Sequence, residues 1–232
     1  MELIPVLLIA AAAIGVAAFF FFRSKQGKGL IASVTPAPDR LVTVSASTPW
    51  NIQHSPGMPP QTTPSNGGWS FEFPVGPEAL GAASVHYVSA PASGHLSGAR
   101  LEMDFTIEAA GNPAFQYKLN SDNTCVNPAN VSMYLQRRND QLTAAYEHYR
   151  WWSDTSIPLL PGAFSLTVPL SPGNWSQVYG KNGTAYPHEF AAALADLEAV
   201  GVTFGGGCFK GHGVNLSQGT AKFTMTRFEV KN

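Results

Sequence analysis

Leu101-Glu102-Met103-Asp104-Phe105-Thr106-Ile107-Glu108 alternates apolar and polar residues without a break. Side chains on a strand point to opposite faces in turn, so this octet reads as a strand with one dry face and one acidic face. The same period-two pattern recurs on both sides of it. Trp69, Phe71 and Phe73 alternate with Ser70 and Glu72, and Val131, Met133 and Leu135 with Ser132, Tyr134 and Gln136. Ala145, Glu147, Tyr149 and Trp151 oppose Tyr146, His148 and Arg150; Phe164, Leu166, Val168 and Leu170 alternate with Ser165, Thr167 and Pro169. Pro169 cannot donate to a ladder, so that strand ends there or lies at an edge. Val200, Val202 and Phe204 form another strand, and Leu41, Val42 and Val44 begin one further upstream. In the last strand Phe223 and Met225 fall out of phase with Phe228 and Val230, which predicts a bulge near Thr226 or Arg227.

One soluble segment reads as a helix. Pro187 suits its first turn, Glu189 its positive end, and Phe190, Leu194 and Leu197 its apolar stripe, with Gly201 as the stop. Thr48 to Gly68, dense in Pro and Gly, reads as a long loop. Short strands with one helix predict an all-β fold, a jelly-roll β-sandwich over residues 40–232.

Leu3 to Phe22 carries no charge and no strongly polar side chain. Such a run is long enough to cross a bilayer of about 30 Å, so residues 1–22 are expected to form a single transmembrane anchor with residues 3–22 in the lipid. Residues 23–39 then form a basic, Pro- and Gly-containing linker. Arg23, Lys25 and Lys28 follow the span, and the positive-inside tendency places the domain in the cytoplasm, with the periplasmic or extracellular side as the alternative. The chain of 232 residues has a net charge of −1, and only 12% of residues are charged, against roughly 25% in soluble proteins. Beyond the collar, 11 basic and 14 acidic residues remain, a domain at −3. That balance argues against a nucleic-acid partner.

The second half carries further signposts. Arg150-Trp151-Trp152-Ser153 is followed by Leu160-Pro161-Gly162, Trp175, Val178-Tyr179-Gly180, Val200 to Gly207, Gly211-His212-Gly213 and Gly219 to Phe223. In this order the chain, over about residues 69 to 230, resembles uncharacterised bacterial proteins with a galactose-binding-like jelly roll. Many carbohydrate-binding modules use that sandwich. The resemblance implies a fold and leaves the ligand to be argued from a site.

Adjacent on a strand, Trp151 and Trp152 face opposite sides, one toward the core and one outward. The outward ring, with Tyr134, Tyr146 or His148, would offer an aromatic platform for the C–H face of a sugar; the competing reading packs both rings. Trp175 and Tyr179 are expected beneath the helix. Gly205 to Gly213 lacks the spacing of a phosphate loop or a dinucleotide fingerprint and reads as a turn. Cys208 and His212, four apart within it, are the one thiol–imidazole pair on offer for catalysis, and no third group orients them. Cys125 and Cys208 are the only cysteines, a disulfide pair in an oxidising compartment and free thiols otherwise. No metal-ligand spacing and no cofactor motif is present, although Glu102, Asp104 and Glu108 on one face leave room for a structural calcium ion. Asn130, Asn174, Asn182 and Asn215 head N-x-S/T sequons. The function expected is a membrane-tethered, non-catalytic binding module with a glycan or protein ligand. The alternatives are a structural subunit of an envelope or surface assembly and an enzyme using Cys208 and His212.

Overall fold

The computed structural model describes residues 49–65, 67–76, 83–96, 98–117, 127–206, 208 and 210–231. The expected membrane span, the linker and the Leu41–Val44 strand lie outside the described residues. No helix among the described residues is long and apolar enough to cross a membrane.

Two antiparallel sheets carry the fold. The first has six strands, in the order β1 (Asn51–Gln53), β4 (Tyr87–Pro91), β10 (Leu197–Gly206), β6 (Ala129–Arg137), β7 (Arg150–Pro158) and β9 (Trp175–Gln177). The second has five: β2 (Thr63–Ser65), β3 (Gly68–Glu72), β11 (Val214–Lys231), β5 (Arg100–Tyr117) and β8 (Gly162–Pro169). The two are joined through one apolar core, as expected of a β-sandwich. Phe71, Phe105 and Phe223 of the second sheet stack with centroids 4.8 to 5.4 Å apart, and Phe204 of the first meets Phe71 edge-on at 5.5 Å. Offset and edge-on pairs of this kind add about 0.5–1.5 kcal/mol each to the burial of their area.

Leu101 to Glu108 lies in the first half of β5, an 18-residue strand that pairs with the equally long β11. The expected bulge falls between Met225 and Arg227, and it returns Phe228 to the core at 1% exposure. Pro169 ends β8, which is an edge strand.

Three expectations change. The stretch read as a loop from Thr48 to Gly68 supplies β1 and β2, one edge strand to each sheet, and Trp50 packs between Trp69 and Phe228 at centroid distances of 5.0 and 4.9 Å. Trp50 and Ile52 alternate there as core residues do, a signal masked by the surrounding prolines. The expected strand from Ala145 begins only at Arg150, because Asn139 and Leu142 adopt positive φ and Ala144–Tyr146 coils into a 3-10 turn. The helix α1 (Pro187–Ala195) buries Phe190, Ala193 and Leu194, but Leu197 already belongs to β10. Gly201 lies inside that strand rather than stopping the helix. A Cβ there would come within 2.2 Å of the Val88 carbonyl oxygen, so the close passage of β4 and β10 requires glycine.

Candidate functional site on the outer face of the six-stranded sheet

Alternation along β7 separates the paired tryptophans as expected. Trp151 turns inward, is fully buried against Phe190 at 5.0 Å, and donates its indole N–H to the His148 carbonyl at 2.8 Å. It presents no surface to a ligand. Trp152 turns outward, opposite Tyr134 on β6, but it too is buried, at 6% exposure, in a small cluster with Tyr134, Tyr87 and Val178, so both rings are packed, as in the competing reading. Tyr146 and His148 lie in the turn before β7 and do not join that cluster. Tyr146 packs edge-on against Tyr149, and the His148 ring lies 4.6 Å from the ring of Tyr186. The five residues of the expected platform therefore divide among the core, the outer cluster and a neighbouring turn. Trp175 is buried near Phe190, as expected, whereas Tyr179 stands 57% exposed.

Beside Trp152 opens a cleft of about 250 Å³, lined also by Asp154, Ser176, Gln177, Val178, Gly180, Cys208, Lys210 and His212. Three separated segments meet there. β7 contributes Trp152 and Asp154, two apart and on one face. The edge strand β9 and the turn after it contribute Ser176, Gln177, Val178 and Gly180. The β10–β11 connection contributes Cys208, Lys210 and His212. Asp154 organises the polar wall: one carboxylate oxygen accepts from the Ser176 hydroxyl at 2.5 Å, the other from the Asn182 amide at 2.8 Å. Lys210 donates to the Ser153 carbonyl at 2.7 Å and lies 3.4 Å from Asp154. Burial pulls the Lys210 ammonium below its ordinary value, and the Asp154 charge pushes back.

The turn that carries Lys210 and His212 is held down on the sheet. The Nδ1 of His86 meets the Gly211 carbonyl at 3.0 Å and its Nε2 meets the Ser84 hydroxyl at 2.8 Å. That arrangement fits the tautomer in which Nδ1–H donates to the carbonyl and Nε2 accepts from Ser84. Burial, with smaller contributions from His212 and His54, keeps the His86 ring below its ordinary pKa, against the pull of the Gly211 carbonyl. Gly211 has φ +77°, and a Cβ on it would lie 2.1 Å from the Tyr87 hydroxyl. The turn thus caps Tyr87, which burial pushes up to about 12.

No protein-family model and no curated protein sequence matches the chain. A solved structure, the xylan-binding module CBM15, is similar over 82% of this chain and 98% of the module, with 14% sequence identity and a TM-score of 0.41. At that score the likeness carries no argument about the site.

The remaining candidates resolve on geometry. Cys208 is disulfide-bonded, so the pair Cys208 and His212 has no thiol with which to attack a substrate. The acidic row on β5 faces cations of its own chain: Glu102 meets Arg100 at 2.7 Å, Arg227 at 2.7 Å and Lys231 at 3.0 Å, while Asp104 meets Arg227 at 2.6 Å. Hydrogen bonds from Arg100 first, then Lys231 and Arg227, hold the Glu102 carboxyl at about 2. No group of three or more His, Cys, Asp or Glu among the described residues could hold a metal ion. Of the four sequon asparagines, Asn130 and Asn215 are buried, at 5% and 4% exposure.

The sequence reading missed Asp154, Ser176 and Lys210. Asp154 was within reach, since it shares a strand face with Trp152; Ser176 and Lys210 come from distant segments with no local spacing to mark them.

Proposed function

We propose that residues 40–232 form a jelly-roll domain that binds sugar without transforming it, in the cleft beside Trp152. Setting aside the short β1, β2 and β9, the sheets run β3-β11-β5-β8 and β4-β10-β6-β7, the interleaving that two Greek keys produce. One observation carries the sugar-binding reading. An indole packed on two tyrosines, with only its edge of 6% exposure left to the cleft, adjoins a carboxylate, a hydroxyl, an ammonium and an imidazole around one concavity. Sugars present C–H faces and many hydroxyls, so they call for an aromatic surface with donors and acceptors close by.

The disulfide state of Cys208 supports pairing with Cys125, the one other cysteine, and supports a domain on the oxidising side of a membrane. Residues 1–22 would then anchor the chain and residues 23–39 tether the domain, against the orientation favoured by the basic collar. Protease added to intact cells should cut the domain; protection until the cells are opened would overturn this placement.

The binding test is a glycan array probed with the full chain in a detergent free of sugar headgroups. A signal on at least one glycan, lost in Asp154→Ala and reduced in His212→Ala, is the expected result. No signal on any glycan overturns the proposal.

A further inference from the structure

The outer face of the six-stranded sheet does not run on as a groove. Beyond Trp152 in one direction along the sheet, Tyr134 is 1% exposed, Thr203 1%, Tyr87 7% and Ser89 1%. The Gly211 turn covers Tyr87 on that side, fastened by His86. Perpendicular to that line, along β7 toward its start, sits Arg150, paired with Asp140 at 3.0 Å, whose side chain is 0% exposed. Gln136 donates to the same carboxylate at 3.1 Å and is itself only 9% exposed. On the strand side Asp154 is tied to Ser176, Asn182 and Lys210. What remains open is the cleft itself, about 250 Å³, smaller than the roughly 300–1,000 Å³ that pockets for drug-sized ligands offer.

Resting on the sugar-binding reading, we infer that the cleft takes a single sugar residue at the end of a chain, not an internal stretch of a polysaccharide. A polymer lying across the sheet would need an open path on both sides of Trp152. Here the line across the strands ends at a glycine turn packed onto a tyrosine, and the line along β7 ends at a buried ion pair, so each path is closed at one end. A terminal residue enters such a dead end, and the units behind it hang in solvent and add little contact.

The test is isothermal titration of the full chain, in sugar-free detergent, with xylose, glucose, galactose and N-acetylglucosamine and with the matching linear tetrasaccharides. For the sugar that binds, the dissociation constants of the monosaccharide and tetrasaccharide should agree within about threefold. His212→Ala, on an exposed residue, should weaken both by the same factor. A tetrasaccharide that binds tenfold tighter or more, about 1.4 kcal/mol, overturns the dead-end reading and leaves sugar binding standing. The same holds for a His212→Ala effect on only one of the two. No heat with any of the eight probes, joined to a blank glycan array, removes sugar binding itself and this inference with it.

Discussion

Asp140→Asn is the substitution that should expose the energetic cost of closing the cleft's far end. The Asp140 side chain is fully buried, 3.0 Å from the Arg150 guanidinium, whose own side chain is 10% exposed. Asp140 also accepts from the Leu142 amide at 2.9 Å and from Gln136 at 3.1 Å. The asparagine keeps the shape and an oxygen for Leu142, but leaves the buried guanidinium without its anion. Removing one partner of a buried pair costs about 3–5 kcal/mol. Arg150 still donates to the Thr143 carbonyl at 3.3 Å, which favours the lower end. For a chain of this size each kcal/mol moves the melting temperature by about 2–4 °C, so a fall of about 6–20 °C is expected. The companion Asp140→Asn/Arg150→Met should recover most of that loss, since methionine fills the same space and removes the stranded charge. Scanning calorimetry or urea unfolding of the three variants reads the cycle. A single-variant loss below about 1 kcal/mol, or a double variant as unstable as the sum of the singles, would refute the reasoning.

The Glu102 carboxyl, held at about 2, contributes stability that is present above its ordinary value of 4.5 and drains away as pH falls from there toward 2; Glu102→Gln should flatten the acid limb of unfolding midpoint against pH. Gly211→Ala forces a Cβ into left-handed backbone and against the Tyr87 hydroxyl. We expect a loss of at least about 1–2 kcal/mol in urea unfolding; a neutral result would mean that the turn does not bear on Tyr87. Reduction should cost about 2–5 kcal/mol if Cys208 closes the loop from Cys125, seen as a lower melting temperature with reductant; a Cys125→Ser variant that melts as the unreduced parent does would refute that pairing. Exposed Tyr179, by contrast, should tolerate alanine within about 0.5 kcal/mol, as thermal melting would show.

What the sequence disclosed followed from periodicity. Leu101 to Glu108 and Trp69 to Phe73 announce their strands because one face of each is dry, and the break in phase at Thr226 announces its bulge. Phe190 and Leu194 announce the helix in the same way. Trp50 and Ile52 obeyed the rule too, but only over a three-residue strand within a proline-rich stretch. Ala145 to Tyr149 mimicked it without joining the strand, because the turn at Asn139 and Leu142 and the coil at Ala144–Tyr146 occupy that stretch. The cleft was illegible for a different reason. Asp154, Ser176 and Lys210 approach only through the pairing of β7 with β9 and the fold-back of the β10–β11 connection. No spacing along the chain encodes that meeting.

The edges of the two sheets have a consequence for how copies of the chain behave when crowded. A free strand edge is a template on which a second molecule can add its own strand. Here the six-stranded sheet ends in strands of only three residues, β1 and β9. The five-stranded sheet ends in β2, centred on Pro64, and in β8, closed by Pro169. Three of these borders are too short to offer many free amides in a row; β8, with eight residues, is the longer one. A second copy that added a strand of its own would therefore find its template along β8, and the other three borders would resist it.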